Sequence, residues 1–196
     1  MNNNLDNIES NWETYTGLCN KAVKHGMGDL LDTLGERLIM CPASSRVNQY
    51  GCHPAGLIKH SLDVAVTMRT LNESLGYDLS ITSVLKVGLL HDIGKVGDLE
   101  DEYFLEQDSN WHREKLGQHY KYNEDLNKMS VSHRTLYLLQ HFGITLNNDE
   151  WLAIQLAQGS HFEENRFYVG HEPTLAMLLQ HSKQVVIHRA VKSTKG

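Results

Sequence analysis

Apolar residues recur at helical spacing along most of the chain. Between residues 11 and 40, Leu18, Ala22, Leu30, Leu31, Leu34 and Leu38 mark a helix face, interrupted by "HGMGD". The pattern predicts two short packing helices. "CPASSRVNQYGCHPAG" (41–56) holds two of the three prolines and reads as a loop that leads into a helix from about Gly56 to Leu75. On that helix Ile58, Leu62, Ala65 and Met68 form one apolar stripe, and Leu57, Val64 and Leu71 form a second that includes His60. With apolar residues on both sides the helix is expected to be central, with His60 turned inward. The next helix, capped by Ser80 or Thr82, runs through Val84, Leu85, Val87, Leu89 and Leu90 until Gly94 stops it, placing His91 and Asp92 in its last turn.

The periodicity is lost from Gly97 to about Met129. "EYFLE" and "QHYKY", with "DSN" between them, predict a small β-hairpin that would act as a flap. Helical patterns resume in "SHRTLYLLQHFG", in "NDEWLAIQLAQG" with Asn148 or Asp149 as its cap, and in "EPTLAMLLQHSKQVVIHRAV" with Pro173 early in the first turn. The expected architecture is all-α apart from the hairpin, with neither repeats nor low-complexity segments.

Length and composition narrow this picture. The 196 residues suit one domain, and 40% apolar content excludes a disordered chain. A polar, acidic N-terminus and the lack of a long apolar run leave no signal peptide or membrane span, so a cytoplasmic location without a membrane partner is expected. Cys19, Cys41 and Cys52 lack CxxC spacing and read as reduced thiols. A net charge of −6 argues against binding duplex nucleic acid and leaves room for a small phosphorylated ligand. A homo-oligomer is compatible with the sequence. Histidine stands out, with twelve copies.

A histidine on an apolar face is, as a class, more often a hydrogen-bonded core residue than a ligand. Here His60 on one buried helix and His91 with Asp92 at the end of the next would converge, and a metal centre needs such convergence from separate elements. Neighbours on a helix diverge by about 100°, so His91 and Asp92 share an ion only where the helix ends.

These segments carry a resemblance. "GLIKHSLDVA" followed by "GLLHDIGK" resembles the HD-domain superfamily of metal-dependent phosphohydrolases. "PASSR" (42–46), "PAGLIKH" (54–60), "LLHDIGK" (89–95) and "RTLYLLQHF" (134–142) are similar, in this order, to motifs of small bacterial and phage members. The resemblance implies an all-α HD helical bundle over residues 1–196, with packing helices over 1–40 and an HD core over 41–190. It implies a phosphohydrolase acting on a nucleotide or related phosphate ester, with one divalent ion (Mn, Fe, Zn, Ni or Mg) held by His60, His91 and Asp92. Asp92 and Lys95 would be catalytic, and Arg46, Lys95, Arg134 and Lys183 would face the substrate.

The family pattern calls for a fourth ligand, an aspartate on the last helix. Lys183 stands at that place, and the last aspartate of the chain is Asp149. Relatives also tend to show "NDG" or a histidine where this chain has Ala157 and Gln158. His133, His161, His181 and His188 are the candidate substitutes, although His181 lies about 200° around the helix from Lys183. Lys183 shares a stripe with Ala176, Leu179, Val186 and Ala190, which points its ammonium inward. Two further readings therefore stand beside the enzyme: a binding module whose ion is replaced by the Lys183 ammonium, and a scaffold for a protein partner.

Overall fold

A computed structural model describes residues 2–159 and 161–193. Its elements are α1 (Asn2–Ala22), α2 (Met27–Met40), α3 (Gly56–Leu75), α4 (Ile81–Leu90), β1 (Phe104–Glu106), α5 (Asn110–Leu116), β2 (Tyr120–Tyr122), α6 (Val131–His141), α7 (Asn148–Gln155) and α8 (Thr174–Ser193). Short 3-10 helices cover Ile93–Val96 and Glu163–Tyr168. The chain is thus all-α apart from one small ribbon. Among the described residues no helix is long and apolar enough to cross a membrane.

Helix α3 faces two different cores, although they regroup the two stripes read from the sequence: Leu57 joins the first core and Met68 the second. Leu57, Ile58, Leu62 and Ala65 pack with Leu89 and Leu90 of α4, Leu138 and Leu139 of α6, and residues of α1 and α2. Val64 and Met68 pack with Val84 and Val87 of α4, and with Ala153, Leu175, Ala176 and Leu179 of α7 and α8. Each fully buried aliphatic side chain contributes about 1.5–3 kcal/mol, so both sides of α3 and α4 are strongly held. These two helices form the central layer.

They approach closely because Gly88 presents no side chain to α3. A Cβ at Gly88 would lie 2.8 Å from the Ala65 Cα. On the other side, the Tyr15 hydroxyl of α1 donates to the Leu89 carbonyl at 3.2 Å.

Several sequence expectations need correction. Helix α4 ends at Leu90, and His91 is its cap with Asp92 beyond it at φ −115°. Gly94 is not the stop. It lies in the 3-10 helix, where a Cβ would come 2.4 Å from the Val131 carbonyl oxygen, so its lack of a side chain lets this turn dock on α6. The hairpin exists, pairing Phe104 with Tyr122 and Glu106 with Tyr120, but "DSN" is not its turn. Ser109 instead caps α5, accepting from the His112 N–H, and Gly117 ends that helix at φ 58°. Asn147, not Asn148 or Asp149, caps α7, in a box completed by Glu150. Pro173 precedes α8, its carbonyl accepting from Ala176 and Met177. Helix α1, with 21 residues, is longer than the two-short-helix pattern suggests.

Gly88→Ala tests the central packing. Overfilling this contact should destabilise the protein by about 1–3 kcal/mol, read as a lower urea midpoint at unchanged slope. An unchanged midpoint would mean that the helices do not meet at this residue.

Candidate functional site

Three side chains converge where α3 and α4 meet. His60 lies one turn into α3, and its ring centroid is 5.7 Å from that of His91. The chain leaves helical geometry at Asp92, which frees this carboxylate from the fixed angle between helical neighbours. One ligand atom from each of His60, His91 and Asp92 lies within 4.8 Å of the others. Among the described residues this is the group of His, Cys, Asp and Glu close enough to share an ion.

The turn is fixed from behind. Thr135 of α6 accepts from the Gly94 N–H at 2.9 Å and donates to the His91 carbonyl at 3.3 Å. His91 Nδ1 lies 2.9 Å from the Gly88 carbonyl, which assigns the proton to Nδ1 and leaves the Nε2 lone pair facing the cluster.

Burial sets the charge states. His60 and His91 are nine-tenths or more buried. Burial, aided by neighbouring positive groups, holds His60 well below the usual imidazole range. Burial likewise lowers His91 to about 4, against the pull of Asp92. Both rings are therefore neutral near pH 7, and both Nε2 atoms are buried without a hydrogen-bond partner. Burial alone would raise the Asp92 carboxyl, but the Lys183 and Lys95 ammoniums overcome it and keep the acid well below the usual carboxylate range.

Asp92 is closely surrounded by donors. Its Oδ2 pairs with Lys95 Nζ at 2.8 Å, while Oδ1 accepts from Gln158 Nε2 at 2.8 Å and from Lys183 Nζ at 3.1 Å. Lys183 also donates to the Ala157 carbonyl at 2.8 Å. Lys95 donates to the Ala43 carbonyl at 2.9 Å and to the Tyr50 hydroxyl at 3.1 Å. Burial opposes the Lys95 charge, but Asp92 and Tyr50 raise its pKa above the ordinary lysine value.

The other candidates lie elsewhere. Arg46 is exposed, and its backbone bridges to Gln118 just ahead of β2. Arg134 is buried, but it donates to the Asn127 carbonyl at 3.0 Å and sits 4.9 Å from the Tyr103 ring centroid, tying α6 to the ribbon. His133, His161, His181 and His188 are exposed. The sequence reading missed Tyr50 and Thr135. It noticed Gln158 only as a departure from relatives, although its amide reaches Asp92.

Two orphaned imidazole nitrogens and an ionised carboxylate form a donor set that fits a divalent ion. Lys183 adds a fixed positive charge on Asp92 Oδ1, and Lys95 another on Oδ2, the oxygen 3.6 Å from His91 Nε2. A full protein ligand set is therefore absent among the described residues.

The buried histidines impose a pH dependence. A folded value near 4 against 6.5 for free imidazole means that the unfolded chain binds more protons between these values. Stability therefore falls as pH drops from 6.5 toward 4. Urea unfolding at pH 5 should show a loss on the order of 2 kcal/mol relative to pH 7.5 from His91. His60 adds a loss of the same sign. His91→Gln should flatten the profile, and an unchanged profile would contradict a neutral buried ring.

No curated protein and no solved structure matches the chain. The family profile described as "HD domain" matches residues 57–180, more than half of the chain. The match includes His60, His91, Asp92 and Gln158, and ends before Lys183. With the helical bundle, the ribbon and the His-His-Asp cluster already in place, this match establishes that the chain belongs to the HD-domain family, a superfamily of metal-dependent phosphohydrolases.

Proposed function

We propose that this protein hydrolyses a phosphate ester of a small molecule, a nucleotide by our reading, with one divalent ion held by His60, His91 and Asp92. The observation that carries the reading is the pair of buried, neutral imidazole nitrogens without partners, sharing a space under 5 Å across with an ionised carboxylate. Leaving two buried ring nitrogens without partners costs roughly 1–3 kcal/mol each, a penalty that a bound cation would remove.

When bound, the ion polarises a phosphoryl oxygen and lowers the pKa of a water. The chain's own residues do the rest. Gly88 and Thr135 fix the His91 ring and the turn that carries Asp92. Lys95, held by Ala43, Tyr50 and Asp92, keeps its proton and supports the negative charge of a phosphate. Closure by α3, α4 and α8 keeps bulk water from the cluster, which strengthens these charge interactions.

The Lys183–Asp92 pair favours a second reading. Here the ammonium substitutes for the ion, and the site binds phosphate without cutting it. One substitution separates the two. At about 4 Å an ammonium repels a divalent ion by roughly 8 kcal/mol at an effective dielectric near 20, whereas a carboxylate attracts it by as much. Lys183→Asp should therefore raise manganese affinity by at least about a hundredfold in calorimetric titration, if the parent site is blocked. A parent that carries near-stoichiometric metal and hydrolyses phosphate esters, with little gain from Lys183→Asp, supports the enzyme. A metal-free, inactive parent that gains affinity and activity supports the binding module.

His91→Ala gives an independent check. Metal content should fall, and stabilisation of the folded state by added manganese should disappear, because an ion bound only by the folded chain stabilises it by mass action. Equal metal content in this variant and the parent would remove His91 from the ligand set.

A further inference from the structure

Apart from the cluster, a cavity of about 380 Å³ has walls of opposite charge. Among the described residues it shares no lining residue with the clefts that contain His60 and Lys95. One wall includes Arg134 of α6, and the other is the turn that carries Asp98 and Glu100.

Arg134 is only 3% exposed, yet its guanidinium is incompletely used. Nη2 donates to the Asn127 carbonyl at 3.0 Å and the Tyr103 ring covers one face at 4.9 Å, while Nη1 is buried with no hydrogen-bond partner. A buried donor left in this state is costly, and more so when it belongs to a charged group. A carboxylate would satisfy it.

The opposite turn is held in place. Arg37 Nη2 donates to the Asp98 and Leu99 carbonyls at 2.8 and 3.0 Å, and Asp98 Oδ1 accepts from the backbone N–H groups of Glu100 and Asp101 at 2.9 and 2.8 Å. Burial alone would raise the Asp98 carboxyl, but those N–H groups and the Arg134 and Arg37 charges overcome it and keep the acid below the usual carboxylate range. Arg134 and Asp98 thus feel each other's charge across the cavity that both line, although no ion pair joins them among the described residues.

We infer that this cavity binds a free α-amino acid with an apolar side chain, its carboxylate on Arg134 and its ammonium on Asp98 and Glu100. A simple anion would gain the guanidinium but face two carboxylates, and a simple cation would meet the reverse. Only a ligand that carries both charges is attracted by both walls. Leu99, Met129 and Tyr137 complete the lining and supply apolar surface for the ligand's side chain. The volume falls within the roughly 300–1,000 Å³ typical of pockets for small organic ligands. The inference does not depend on the phosphohydrolase reading.

Calorimetric titration of the full chain tests it with four probes: L-leucine, N-acetyl-L-leucine, L-leucinamide and inorganic phosphate. Leucine should bind at least about tenfold more tightly than either blocked form, the loss expected for one charge-assisted hydrogen bond. The double variant Asp98→Asn, Glu100→Gln removes both negative charges but keeps an Oδ1 acceptor for the turn, and Glu100 is exposed, so the fold should tolerate it. In it the preference for leucine over N-acetyl-leucine should vanish while the preference over leucinamide persists. Arg134→Met should do the opposite, erasing only the preference over leucinamide. A purely structural role for these residues would not divide the two preferences in this way. No binding of leucine at millimolar concentration, equal affinity for leucine and either blocked form, or unchanged preferences in the double variant overturns the inference. Phosphate binding more tightly than leucine would make this a plain anion site and overturns it as well. All of these outcomes leave the phosphohydrolase reading standing, because its ligand residues lie outside the cavity.

Discussion

The arrangement of this protein depends on a fully buried carboxylate that must stay charged. An isolated ionised acid in a protein interior costs several kcal/mol even after relaxation, so Asp92 requires partners. It has three: Lys95 on one oxygen, and Gln158 and Lys183 on the other. They come from the turn after α4, from the segment after α7, and from α8. The carboxylate is therefore an electrostatic knot among elements that are far apart in sequence. Removing any one donor leaves part of the charge unpaired, which is why these positions should be coupled.

The histidines depend on packing. His60 and His91 meet because Gly88 lets α4 approach the Ala65 backbone of α3, and because Thr135 anchors the turn that follows. Both rings lie in an interior that disfavours their protonated forms. The cluster thus combines two neutral donors supplied by packing with one anion supplied by ion pairing, and either half fails without its own support.

Much of this was legible in the sequence, for identifiable reasons. The double apolar stripe on α3 revealed a helix buried on both sides, and the position of Lys183 on the stripe of Ala176, Leu179 and Val186 revealed an inward ammonium. The "LLHDIGK" segment pointed to the family. Other features lay beyond periodicity. Gly94 was read as a helix stop, since a glycine needed for close approach to α6 looks the same in sequence as one needed for a cap. The helix within the ribbon connection was missed because α5 buries none of its residues and so carries no apolar stripe. Tyr50 was missed because its role depends on the course of an irregular loop. The side-chain direction of Arg134, onto the Tyr103 ring and the Asn127 carbonyl, is likewise something a matching motif does not reveal.

The split of the core into two clusters has a consequence for how such a site can change over time. His91 and its turn are anchored by α1 and α6, in one cluster, while Lys183 comes from α8, in the other. Holding the imidazoles and placing the second ammonium on Asp92 are thus separate tasks, assigned to separate halves of the molecule. A change on α8 alone can therefore alter the charge beside Asp92 while the other half keeps its packing. The division makes the chemistry of the site replaceable without rebuilding the fold around it.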